Sequence, residues 1–384
     1  MPAIEFKVPR GAILFVKDGF QYEFREDLGE AHHGLSLLLA RRRTLEGAIR
    51  GKVLLKAVGR PTVEEGARVK RARAKLEEQV RLAAYLDHPR ILRVHGLHKG
   101  EGGWYVITDH PSGNSLNDLI TVAGECRRYL SPLFVLYLGT QVAAALEHAH
   151  GARDEQGRPL HIVHRALDVA HVFVDWRGSV EVSDFGLALS DLPGRVASTV
   201  HRPQGDAFYS SPETLLMGLA DARSDLFALG NVLLELATGK NLLDAPDSLT
   251  GAVKEALPDR QLARCRRAIK RARSAGSPAA VQDAIWRAAT YTQADLDSLL
   301  APLPQVLRVV LNRLLQRSPA GRYQTARELV VDLHRWQGEG KLFGPKEAEA
   351  ELRELMRQAG EVLAELDIRA PRSATTPQDA ISTN

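Results

Sequence analysis

Apolar residues fall along this chain in two rhythms. Before residue 110 they come in short runs broken by turn residues. Ala12 to Val16 is an apolar run, Asp18-Gly19 is a turn pair, and Phe20, Tyr22 and Phe24 alternate after it, which predicts a hairpin over 12–24. Extended runs follow at Leu35–Leu39, Lys52–Val58 and Trp104–Thr108, with a charged helical stretch from Val63 to Leu86 between the last two. Residues 1–110 therefore predict a small antiparallel sheet carrying one helix. Beyond Pro111 apolar positions recur at three- and four-residue steps, the helical period. Leu133 to His150 and Ala222 to Thr238 are the clearest helices, and Pro304–Leu315 and Ala326–Trp336 are two more. Between the first pair, short apolar runs at His161–Val163, Val172–Val174 and Val180–Val182 bracket turns such as Asp175-Trp176-Arg177-Gly178. A charged amphipathic helix over Pro345–Leu366 occupies 341–370, and the polar stretch 371–384 predicts disorder. Strands first and helices after is the order of an α+β protein of two lobes, here 1–110 and 111–340.

Composition narrows the class. Of 384 residues, 44% are hydrophobic and 26% charged, an ordinary globular balance. Two cysteines, Cys126 and Cys265, argue for a reducing compartment and against a disulfide framework. No apolar run approaches the roughly 18–20 residues of a membrane helix, and the opening MPAIEFKVPRG lacks the basic-then-apolar order of a signal peptide. A cytoplasmic protein with no membrane contact is expected. The net charge of +4 is small for this length, and with 39 Arg against 12 Lys it does not predict a nucleic-acid partner.

Several ordered segments carry chemistry. LGEAHHGLS (28–36) holds Gly29 and Gly34, VLLK ends at Lys56, and DHPRILRV spans 87–94. HRALDVAHVFV (164–174), SDFG (183–186), YSSPE (209–213), ARSDLFALGNVLLELATG (222–239) and SPAGRY (318–323) follow. In this order and spacing they resemble a eukaryotic-type Ser/Thr protein kinase domain of the bacterial kind, over roughly residues 20–336. The resemblance implies a bilobal kinase-like fold, with an insert around 241–300 in the helical lobe. It gives structural roles to Arg165, Phe185, Glu213, Asp225 and Arg322, with Arg322 pairing Glu213. It also implies ATP and Mg²⁺ as ligands, with Gly29, Gly34, Lys56 and Asp109 on the nucleotide and Asp184 on the metal.

Phosphoryl transfer needs a positioned nucleotide, metal-borne charge and an acceptor for the substrate hydroxyl proton. The acceptor should be the Asp of His-Arg-Asp, and here it is Ala166, a methyl group that accepts no proton. Asp168 is either a substitute base or a solvated loop carboxylate. The second metal position holds His171, an imidazole where Mg²⁺ wants hard oxygen. Asp184 remains, either for one ion or to shape the turn that packs Phe185. In the phosphate loop, the middle glycine is Ala31 and the roof valine is Ser36. The helix partner of Lys56 is Gln79, with Glu78 about 100° away around the helix. Leu54 replaces the alanine above the base, and Pro111, at the hinge donor position, has no N–H. The resemblance with these changes describes a pseudokinase: a regulatory or scaffolding protein-binding module, with nucleotide binding weak or absent. The alternative is an atypical active kinase using Asp184 for Mg²⁺ and Asp168 as base. Transfer of a group other than phosphoryl is a third reading.

Other features point outward. Residues 259–273 carry six arginines and Lys270, scattered round a helix with Leu262, Cys265 and Ile269 as an apolar stripe. They form either a solvated face or a dock for an acidic protein; another kinase is the second partner candidate. Ser198 or Thr199, if phosphorylated, would pair with Arg165. His148, His150, His161, His164 and His171 match no zinc spacing. The helix over 345–366 either caps the large lobe or forms a coiled-coil contact.

Overall fold

The computed structural model describes residues 8–31, 35–59, 66–100, 102–195, 205–245, 249–337 and 343–369. Six strands form the first sheet: β1 (Ile13–Lys17), β2 (Phe20–Ala31), β3 (Leu35–Thr44), β4 (Ile49–Gly59), β5 (Val94–Lys99) and β6 (Gly103–Asp109). Their order is β1-β2-β3-β4-β6-β5, antiparallel throughout. The expected hairpin turns on Asp18 and Gly19, both at positive φ (51° and 76°), the backbone of a tight two-residue turn. β5 was not expected, because VHGLHK mixes glycine, histidine and lysine into a strand with little alternation.

One face of this curled sheet is filled by its own side chains, among them Phe15, Tyr22, Leu38, Leu55, Tyr105 and Ile107. On the other lies α1 (Gly66–Ala83), whose Val69, Ala72 and Leu76 meet Leu35, Val58 and Val106. Those three positions share one helical face, so the charged residues of α1 are left on the others.

The second lobe is helical. A three-stranded sheet, β7 (Asn114–Ser115), β8 (Val172–Val174) and β9 (Val180–Val182), lies at its top. The helices are α2 (Leu116–Glu125), α3 (Pro132–His150), α4 (Pro212–Met217), α5 (Ala222–Thr238), α6 (Gly251–Glu255), α7 (Asp259–Ser274), α8 (Ala280–Thr290), α9 (Gln293–Leu300), α10 (Gln305–Leu314), α11 (Ala326–Gln337) and α12 (Pro345–Arg369). Ser131 caps α3 by accepting the Phe134 N–H (3.2 Å), and Pro132 follows at the first helical position, where its missing N–H costs nothing. The interiors of α3 and α5 are buried nearly all round and pack on each other and on α11. His161–Val163 is not a strand; only Val163 pairs, by one bridge to Leu189.

The segment 87–94 ties the lobes together: Leu92 N–H donates to the Val182 carbonyl (2.9 Å) and Val182 N–H to the Arg90 carbonyl (2.8 Å). The first half of α12 caps the large lobe. Ala348, Leu352 and Leu355 are buried, Ser131 Oγ donates to Glu351 (2.7 Å), and Phe343 sits edge-on to Phe134. Among the described residues no helix is long and apolar enough to cross a membrane.

Candidate active site

The loop after α3 holds its backbone in an unusual shape. His164 is buried, and that burial lowers its pKa. Its Nε2 donates to the Ser183 carbonyl (2.9 Å) and its Nδ1 accepts the Ala166 N–H (3.2 Å). Arg165 has φ 65°, a left-handed conformation that costs a side-chain-bearing residue about 1–2 kcal/mol. Asp225 of α5 holds it there. Its carboxylate accepts the N–H of His164 (2.8 Å), the N–H of Arg165 (2.9 Å) and His150 Nε2 (2.9 Å). The Arg165 guanidinium donates to the Leu187 (2.8 Å) and Ala188 (3.3 Å) carbonyls; burial and the nearby charge of Arg195 bring its pKa down to about 10. Residues 196–204, with Ser198 and Thr199, lie outside the described residues.

Ala166 is buried, and Gly205 lies directly on it. A Cβ added to Gly205 would stand 2.7 Å from Ala166 Cα and 2.8 Å from its Cβ. Asp168 is not the solvated carboxylate that was one expectation. It is buried, and its Oδ1 accepts the N–H groups of Ala170 (2.9 Å) and His171 (3.1 Å) and meets His171 Nδ1 at 2.7 Å. An aspartate bonding backbone groups two and three residues on closes its own loop. For His171, burial works to lower the pKa, but the hydrogen bond and charge of Asp168 and the charge of Asp184 outweigh it, and the pKa is raised.

Asp184 is at φ 63°, and its Oδ1 accepts the Gly186 N–H (2.9 Å) and pairs with Lys56 Nζ. Its Oδ2 lies 3.9 Å from His171 Nε2. The carboxylate is thus held between an ammonium and an imidazole. Phe185 packs edge-on against His164 (4.4 Å between ring centres). In α1, Glu78 turns away from Lys56, as its helical offset predicts, and binds Lys75 (2.8 Å) and Arg195 (3.0 Å). Gln79 lines the cleft instead.

That cleft, of 1120 Å³, lies between the lobes, with Leu37, Leu54 and Lys56 above and Ala170, Phe173 and Asp184 below. Ser36 is not its roof. Ser36 pairs with Ala57 and Leu37 with Lys56, and cross-strand partners share a face. Leu37 therefore looks into the cleft with Lys56, and Ser36 is buried on the other side. Gly29 (φ 101°) has its N–H on Asp27 Oδ1 (2.9 Å); Gly34 lies outside the described residues. At the hinge, Asp109 lies 2.6 Å from His95 Nε2, and the Pro111 carbonyl is 2.8 Å from His110 Nδ1.

A family model of the protein kinase domain matches residues 46–333. The chain belongs to the protein kinase family. It is 26% identical over 259 residues to the serine/threonine-protein kinase PrkC of Bacillus subtilis, covering 67% of this chain and 33% of that protein. To the tyrosine-protein kinase MasK of Myxococcus xanthus it is 30% identical over 208 residues, covering 51% and 32%. To the human serine/threonine-protein kinase Nek2 it is 30% identical over 176 residues, covering 45% and 38%. The chain spans about a third of the length of these relatives.

Within this family frame the named residues divide by task. Glu213 grips Arg322 with two bonds (2.8 and 2.9 Å), and Ser224 Oγ adds a third to Glu213 (2.8 Å). Arg322 also donates to the Gln316, Arg317 and Arg223 carbonyls. These groups hold the helical lobe. The donor set expected for Mg²⁺ does not fit two ions: one position is an imidazole committed to Asp168, and the other carboxylate is already engaged by Lys56. The sequence reading missed Gly205 and Asp206, although they stand just ahead of the YSSPE motif. Asp206 caps the Phe208 N–H (2.9 Å), and desolvation with the charges of Asp168 and Asp244 pushes its pKa up although one edge is open to solvent.

Proposed function

We propose that this protein kinase family member is a pseudokinase, a cytoplasmic regulatory or scaffolding module that binds another protein and does not transfer phosphate. The observation that carries the reading is Ala166. Where a hydroxyl proton would have to be accepted there is a methyl group covered by Gly205. Loss of a general base costs about 10²–10⁴ in rate. The surroundings of Asp184 support the same reading, since Lys56 pairs with its Oδ1 and the His171 imidazole stands 3.9 Å from its Oδ2, the oxygens a metal ion would use. Pro111, with no N–H and its carbonyl taken by His110, weakens adenine binding at the hinge.

A second reading has one observation in its favour. Asp206 places a solvent-reachable carboxylate one residue from the Gly205 that covers Ala166, close enough to Asp168 and His171 for their charges to act on it. An atypical kinase would use Asp206 or Asp168 as base. The deciding experiment is a thermal shift with ATP, with and without Mg²⁺, followed by a radiolabelled phosphotransfer assay on the wild type, Asp168→Ala and Asp206→Ala. Absence of transfer in the wild type is expected. Transfer abolished by either substitution would replace the non-catalytic reading with the second one.

A further inference from the structure

We infer that α7 presents a docking face for an acidic segment of a partner protein. This names the chemistry of the partner in the reading above and rests on different residues. The helix belongs to the insert between α5 and α10, and the insert is firmly seated. Cys265, Ala268, Ile269 and Ala272 are buried, α7 packs on α4 and α8, and Arg271 donates to the Leu216 carbonyl of α4 (3.0 Å). Buried Arg287 of α8 donates to the Leu242 carbonyl (3.2 Å) and pairs with Asp295 (3.5 Å).

The cations are not scattered, as the sequence reading had them. At about 100° per residue the four buried positions share one arc, and every arginine and lysine of α7 stands at least about 90° from its centre. Arg260, Arg266, Arg267, Lys270 and Arg273 are exposed. Among the described residues no salt bridge joins any cation of α7 to a carboxylate. Asp259, at the first position, is the helix's one acid. Like charges three and four residues apart, as at 260/264, 266/270, 267/270 and 270/273, repel on a helix surface. The face therefore carries about 20 Å of uncompensated positive charge, which an anionic partner would relieve. It exposes no aromatic ring to stack a base and no large apolar side chain to enter a bilayer. Those two features disfavour a single-stranded nucleic acid and an inserted bilayer contact. The small net charge of the chain, +4, gives little long-range attraction to a polyanion such as duplex DNA, which leaves an acidic protein segment as the occupant.

The test is fluorescence anisotropy of the full chain with a fluorescein-labelled oligoglutamate of twenty residues, at low and physiological salt. The triple variant Arg266→Ala/Arg267→Ala/Lys270→Ala should bind at least tenfold more weakly with unchanged circular dichroism. Arg177→Ala/Arg327→Ala/Arg353→Ala, which removes three exposed arginines elsewhere, should bind within twofold of wild type. Equal losses in the two variants, no binding by wild type, or tighter binding of duplex DNA or phosphatidylserine vesicles than of oligoglutamate would overturn the inference. Phosphotransfer measured on the same samples separates the two readings. Activity there retires the non-catalytic proposal and leaves the docking face standing, whereas loss of α7 dependence retires the docking face alone.

Discussion

Asp225 is the residue on which the shape of the catalytic loop depends, and replacing it tests that directly. Its Oδ2 accepts the His164 N–H and His150 Nε2, its Oδ1 accepts the Arg165 N–H, and it is 1% exposed. In Asp225→Ala two loop N–H groups lose their partner in a place that water does not reach. Each unsatisfied buried donor costs about 1–3 kcal/mol, so the pair costs about 2–6 kcal/mol. Arg165, at φ 65°, is then no longer held, and the strain of about 1–2 kcal/mol can be relieved by letting the loop relax, which offsets part of the loss. The net expectation is about 1–4 kcal/mol. Asp225→Asn discriminates further. Its single amide oxygen can serve the Oδ2 partners, but its NH₂ then faces the Arg165 N–H, donor against donor. The loss should be roughly half that of the alanine variant. Urea unfolding followed by tryptophan fluorescence gives both values, and hydrogen exchange at the His164 and Arg165 amides reports the local opening. An Asp225→Asn protein within about 0.5 kcal/mol of wild type, with both amides still protected, would refute the account of the loop.

Four further outcomes are expected. Glu213→Gln should cost about 3–5 kcal/mol, because it leaves the buried Arg322 guanidinium uncompensated. Burial acts to raise the Glu213 pKa, but the Arg322 bonds outweigh it and lower it. Its stabilisation is therefore complete above the ordinary carboxylate pKa and fades as pH falls toward the folded value, so the gap between wild type and Glu213→Gln in urea midpoint should narrow on acidification from about pH 5. Gly205→Ala should destabilise by about 1–3 kcal/mol in thermal denaturation, since it places a Cβ against Ala166 at a φ of 70°. Asp168→Ala should lower stability by a similar amount, because the Ala170 and His171 N–H groups lose their acceptor; an unchanged unfolding midpoint would show that Asp168 does not close its loop.

What the sequence made legible was set by period and by motif. The run Ala222–Thr238 keeps apolar spacing from end to end, and the helix has those same bounds. Asp18-Gly19 marked the hairpin because few residue pairs accept that turn. Pairing register was less visible. Counting glycines in 28–36 put Ser36 in the roof, whereas the pairing of β3 with β4 sets Leu37 opposite Lys56 and so into the cleft. Asp168 looked solvated because a carboxylate in a loop usually is, and only the fold brings His171 back over it. The one-sided charge of α7 emerged once α4 and α8 fixed which arc was buried.

The division between kept and changed residues has a physical basis in what each side chain touches. Asp225 closes three buried hydrogen bonds, Glu213 and Arg322 close a desolvated ion pair, and His164 bridges Ser183 and Ala166. Losing any of these costs stability whether or not phosphate is transferred. The carboxylate absent at 166 would have served only a bound substrate, so a methyl group there leaves no partner stranded. His171 goes further, because it brings contacts of its own to Asp168 and Asp184. Lys56, Asp184, His171 and Asp168 stand in a row that runs from the cleft lining into the catalytic loop. Lys56 belongs to β4 and Asp184 to the loop after β9, so their ion pair joins the two lobes across the cleft.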